Sequence, residues 1–143
     1  MSIKIIVIIA CIAVAVLTIA FIIHHHRRGL LMDSLEGHEF EAYCAELLED
    51  NGFSSVEVTP ASRDFGIDIL AEKDGVTYAI QCKRYQSAVG IEAVQQAYAG
   101  RDFYDRMVGV VMTNQYITAP ATQMADKLHI LLWDRGYIEE MEE

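Results

Sequence analysis

The chain has 143 residues, enough for one domain of ordinary size, and a formal net charge of −10. All 21 acidic residues lie at or beyond Asp33, so residues 33–143 set 21 carboxylates against eight Lys and Arg, a net of −13. That balance excludes broad non-specific nucleic-acid binding, which shows as excess positive charge. The three cysteines have no paired Cys-x-x-Cys spacing, which excludes a zinc ribbon or a disulfide framework. They are read as structural thiols in a reducing compartment, which fits a cytoplasmic domain.

Ile5 to Ile23 is an apolar run of 19 residues with Thr18 as its one mild interruption. A helix needs about 20 residues to cross a hydrocarbon core. The run ends in Phe-Ile-Ile-His-His-His-Arg-Arg, without the small-residue site at which a signal peptide is cleaved. Residues 3–25 are therefore read as a retained transmembrane helix, with 26–34 as basic flank and linker. Arg27 and Arg28 outweigh Lys4, so the positive-inside rule places the C-terminal domain in the cytoplasm of a single-pass protein of the cell membrane.

A helix is expected over Leu35–Asp50, with Ser34 as its N-cap and Phe40, Tyr43, Cys44, Leu47 and Leu48 as its buried stripe. Glu41 stands at the border of that stripe. Asn51-Gly52 stops the helix with a left-handed residue. Ser55–Thr59 alternates as a short strand, and Pro60–Phe65 is a loop.

Two strands follow, joined by Asp74-Gly75, the composition of a type I′ turn. A two-residue turn pairs Lys73 with Val76, Ala71 with Tyr78, Ile69 with Ile80 and Asp68 with Gln81. Alternation then puts Ile67, Ile69, Ala71, Tyr78, Ile80 and Cys82 on one face, and Asp68, Leu70, Ala79, Gln81 and Lys83 on the other. A helix is expected over 90–104, a buried parallel strand at Val108–Met112, and a helix over Thr118–Leu128 with Pro120 in its first turn. Ile130–Trp133 is a last strand, and 139–143 an acidic, solvated tail. The order α-β-β-β-α-β-α-β defines an α/β domain with a mixed sheet flanked by helices.

An acid, an amide and an ammonium on one patch of an apolar hairpin need a reason. Two readings fit. One is a buried Asp–Lys pair that ties the hairpin together. The other is metal-assisted hydrolysis: Mg²⁺ takes few protein carboxylates and keeps waters for substrate phosphates. In that reading Asp68 is the direct ligand, Gln81 a neutral oxygen, and Glu41 completes the outer shell. Lys83 holds or deprotonates the attacking water and stabilises phosphate charge. Arg63, Arg84 and Gln95 are candidate nucleic-acid contacts, and Thr113-Asn114 ends a strand where ligands often bind.

Gly37-His-Glu-Phe-Glu41, Asn51-Gly-Phe53, Asp64-Phe-Gly-Ile-Asp68 and Gln81-Cys-Lys-Arg-Tyr85, with Val94-Gln-Gln-Ala97 and Gly109-Val-Val-Met-Thr-Asn114, resemble the Mrr-type restriction endonuclease catalytic domain. That is a branch of the PD-(D/E)xK nuclease superfamily in which Gln stands where others have Asp or Glu. The resemblance covers nearly all of 35–138. It implies a restriction-endonuclease-like α-β-β-β-α-β core and Mg²⁺-dependent cleavage of DNA, with Mn²⁺ as substitute. It also implies Asp68, Gln81 and Lys83 as catalytic set, Glu41 as helper, and a part in restriction of foreign DNA. Phe65 departs from the second glycine of many relatives and could crowd substrate or metal. In place of a DNA-recognition domain there is the transmembrane segment. Cutting both strands calls for two sites, hence a homodimer. The competing expectation is an inactive nuclease-like module that binds nucleic acid or a partner protein at the membrane.

Overall fold

The computed structural model describes residues 3–60 and 65–143, with side chains outside 24–31. The chain divides into two compact units, residues 1–32 and 33–143. In the first, helix α1 (Ile3–Ser34) contains a 21-residue apolar segment, Ile3–Ile23, long enough to cross a membrane by length and composition. α1 continues through residues 29–34, expected to be a linker. No proline interrupts this stretch, and one glycine costs a helix only about 1 kcal/mol.

The second unit opens with α2 (Gly37–Asp50). Because Ser34 still belongs to α1, Glu36 is the N-cap. The Glu39 carboxylate returns to the Glu36 N–H at 2.8 Å, closing a capping box. Phe40, Cys44, Leu47 and Leu48 are buried, and the helix stops at Asn51 before left-handed Gly52 (φ +83°).

Five strands form one sheet in chain order: β1 (Ser54–Val58), β2 (Ile69–Lys73), β3 (Val76–Lys83), β4 (Val108–Thr113) and β5 (Ile130–Trp133). The first three pair antiparallel, the last three parallel. Asp74 (φ +53°) and Gly75 (φ +77°) both take the positive φ that a type I′ turn needs. The hairpin register is the expected one, with Lys73 opposite Val76 and Ile69 opposite Ile80. α3 (Ile91–Phe103) and α4 (Ala119–Leu128) cover one face, where Val94, Ala97, Val111, Ala121 and Ile130 form a core cluster.

Two features differ from expectation. Ile67 is not on the Ile69–Ile80 face: β2 begins only at Ile69, and left-handed Phe65 and Gly66 turn the chain so that Ile67 packs with Leu70 and Ala79 beside Tyr104. Gly100 of α3 admits this side chain because it has none of its own. The first three residues of the expected tail, 139–141, belong to a helix, α5 (Arg135–Met141), capped by Asp134, with Ile138 fully buried. One buried isoleucine and ring stacking of Tyr137 on Trp133 (interplanar angle 3°) anchor the helix that runs into the stretch composition alone reads as solvated.

Candidate active site

Asp68 sits one residue ahead of β2, and its main chain is fixed on both sides. Its N–H donates to Ile80 O and its carbonyl accepts from Thr59 N–H, both at 2.9 Å. The residue is 8 % exposed, and one carboxylate oxygen, Oδ2, receives two donors: the Cys82 N–H at 2.7 Å and the Gln81 amide. The Gln81 amide also donates to Cys82 O at 3.0 Å. Buried carboxylates are tolerated when hydrogen-bonded in this way.

Lys83 lies two residues beyond Gln81, hence on the same side of the sheet, at the C-terminal end of β3. It is half-buried, and no salt bridge among the described residues neutralises it. Glu41 is half-buried on α2, and its charge joins that of Asp68 at Cys82. The Cys82 thiol is pushed well up, first by its hydrogen bond with Cys44, then by burial, then by these neighbouring charges. The elements therefore bring Asp68, Gln81, Lys83 and Glu41 toward one end of the hairpin.

The expected nucleic-acid contacts fare differently. Arg63 lies outside the described residues. Arg84 donates its guanidinium to the carbonyl of Asp33. Gln95 is exposed on α3, with no recorded hydrogen bond to the cluster among the described residues. Its neighbour Gln96 abuts the loop instead: a Cβ on Gly66 would lie 3.1 Å from Gln96 Cβ. Phe65 is exposed, and its ring stacks on Phe103 with centroids 3.9 Å apart.

Sequence reasoning missed Asp33. Its carboxylate accepts from Asn114 Nδ2 at 2.8 Å and pairs with Arg135. Burial pushes its carboxyl up. The hydrogen bonds from Arg135 and Asn114, with the charges of Arg135 and Arg84, outweigh that and hold it below its ordinary value. A lone acid in a linker carries no local signal of such contacts.

No group of three or more His, Cys, Asp or Glu among the described residues could hold a metal ion. The cluster offers two carboxylates and an amide. Such oxygen donors suit a hard divalent cation that retains much of its water, and do not suit zinc.

The domain is α/β with a mixed sheet, and its second hairpin strand carries Gln-x-Lys next to a buried Asp. Residues 32–141 match a family model of the Mrr catalytic type, described as a restriction endonuclease, and the chain belongs to that family. Among solved structures it is similar to a protein of unknown function, AF1548 (24 % identity, TM-score 0.59), over 68 % of this chain and 57 % of that one. It is also similar to the DNA modification-dependent restriction endonuclease AspBHI (18 %, TM-score 0.61; 82 % and 34 %). A third likeness is to the MspJI restriction endonuclease in complex with a 27-mer oligonucleotide (19 %, TM-score 0.61; 82 % and 30 %). At these identities the likeness is one of fold, and the chain spans between about a third and just over half of those proteins' lengths. No curated protein matches.

The register carries its own test. Inserting one residue between Asp74 and Gly75 moves Asp68 to the opposite face from Gln81 and Lys83. Such a variant is expected to keep a near-native far-UV circular dichroism spectrum and to lose the calorimetric heat of Mn²⁺ binding. Wild-type Mn²⁺ affinity in that variant would show that the turn does not set the register.

Proposed function

We propose that this chain is a membrane-anchored, divalent-metal-dependent endonuclease that hydrolyses DNA phosphodiester bonds, with its catalytic domain in the cytoplasm. The observation that carries the reading is the buried Asp68, its carboxylate oriented by Gln81 and the Cys82 N–H, with Lys83, which makes no salt bridge among the described residues, two residues beyond Gln81. Family membership supports it, as do the likenesses to AspBHI, a DNA modification-dependent restriction endonuclease, and to the MspJI restriction endonuclease in complex with an oligonucleotide.

Asp68 would hold Mg²⁺ or Mn²⁺, with Gln81 and Glu41 as further oxygen donors. A divalent ion bound there supplies Lewis-acid polarisation of the phosphate and a more acidic water. Lys83 orients the attacking water, takes up or releases its proton, and offsets charge on the phosphate oxygens. Cys82 N–H keeps the Asp68 carboxylate from rotating. Two such domains, brought together as a homodimer by their anchors, would cut both strands, and restriction of foreign DNA is the role this activity serves.

The test is cleavage of supercoiled plasmid by the full chain in detergent, with Mg²⁺ or Mn²⁺ against chelator. Cleavage that needs the metal and disappears in Asp68→Ala is expected. Equal cleavage by wild type and Asp68→Ala would mean a contaminant and would sink the reading. The net −13 of residues 33–143 favours one rival, an inactive module that binds a partner at the membrane. That rival predicts no Mn²⁺ binding that depends on Asp68.

A further inference from the structure

The segment Lys83–Tyr85 leaves the sheet through a set of contacts that the catalytic reading does not use. Thr113 Oγ1 donates to the Lys83 carbonyl at 2.6 Å. Asn114, 1 % exposed, closes on Tyr85 from both sides: its Oδ1 accepts the Tyr85 N–H and its Nδ2 donates to the Tyr85 carbonyl, each at 2.9 Å. The Asn114 Nδ2 also donates to Asp33 Oδ1 at 2.8 Å. Arg84, between the two held residues, donates its guanidinium to the Asp33 carbonyl. The Arg135 guanidinium, from the first turn of α5, completes the set on the Asp33 carboxylate and also lies 3.8 Å from Glu139. Thr113 and Asn114 thus secure the main chain of 83–85, and Asp33 secures Asn114 and Arg84.

We propose that Asp33 is a positioning residue for Lys83. Through Asn114, which its carboxylate holds, it fixes the main chain at 83–85, and with it the point from which the Lys83 ammonium reaches into the site, while its main-chain carbonyl receives Arg84. The inference rests on the nuclease reading above. A lysine has a flexible four-carbon stem, so its placement depends on a fixed point of attachment. Catalytic groups lose efficiency when displaced by as little as half an ångström to one ångström. Asp33 touches neither substrate nor reacting atoms, and it lies in the last turn of α1, the helix that carries the apolar segment.

The experiment compares full-length wild type, Asp33→Ala, Asp33→Asn and Asn114→Ala in detergent, with kcat taken per folded molecule. Amide hydrogen exchange is read alongside at Tyr85 and, as a control inside the sheet, at Val111. Asp33→Ala should lower kcat at least tenfold with KM for DNA within twofold. Tyr85 should exchange at least tenfold faster, with Val111 unchanged. Asp33→Asn keeps an oxygen for Asn114 and Arg135 and should recover most of the loss. Asn114→Ala combined with Asp33→Ala should cost little more than either alone, because the two act as one unit. Unchanged Tyr85 exchange in Asp33→Ala overturns the proposal. So does faster exchange with unchanged kcat, or a loss shared equally by Val111, which is general destabilisation. A wild type that binds Mn²⁺ through Asp68 yet cleaves no DNA overturns the nuclease reading, and the positioning role with it.

Discussion

Lys83→Ala is expected to lower kcat for DNA cleavage by about 10²–10³-fold, the usual cost of removing one group that stabilises charge in the transition state. Its thermal midpoint should stay within a few degrees of wild type, since the ammonium makes no salt bridge among the described residues. The calorimetric affinity for Mn²⁺ should stay within twofold, because the oxygens that would hold the ion belong to Asp68, Gln81 and Glu41. This separates Lys83 from Asp68, whose removal is expected to abolish both metal binding and cleavage. A Lys83→Ala enzyme with undiminished kcat would remove the lysine from the chemistry. A collapse in its thermal midpoint would return it to the role of a structural cation.

Gly100→Ala carries the largest expected effect on stability. A Cβ there would overlap Ile67 Cγ1 and lie 2.8 Å from Ile67 Cδ1 and 3.0 Å from the Phe65 carbonyl. Overpacking a closed core costs about 1–3 kcal/mol, and the better helix propensity of alanine returns no more than about 1 kcal/mol. The net expectation is a loss of about 1–2 kcal/mol, read as a lower midpoint in urea. Activity should fall as well, because the residue displaced is the immediate neighbour of Asp68. Gly66→Ala offers a milder comparison, with a contact of 3.1 Å to Gln96 Cβ but a left-handed backbone at φ +77°. Wild-type stability in Gly100→Ala would mean that Ile67 has room to move.

Much of this was legible because it is local. The Asp74-Gly75 turn has a sequence signature, and a two-residue turn fixes which residues face each other across the hairpin. Asp68, Gln81 and Lys83 could therefore be grouped before any coordinates. Leu47, Leu48 and Cys44 betray their burial by helical spacing. What was not legible is tertiary. Ile67 leaves the strand alternation because Phe65 and Gly66 turn left-handed and because Gly100, 33 residues away in the chain, leaves a hollow for it. Asp33 looks like linker until Asn114 and Arg135 are brought to it. Residues 139–141 look like acidic tail until Trp133 and Tyr137 stack and anchor the helix that runs into them.

The donor that grips Asp68 from the neighbouring strand has a further consequence. It is a peptide N–H, that of Cys82, and not a side chain. Mutation cannot delete it without a proline, so position 82 can drift in chemistry within the volume Cys44 allows while the carboxylate stays aimed. The precision of the site is inherited from the sheet ladder. Descendants of this chain could therefore trade the Cys44–Cys82 thiols for aliphatic packing, and with them lose any sensitivity to oxidants, without retuning the reaction.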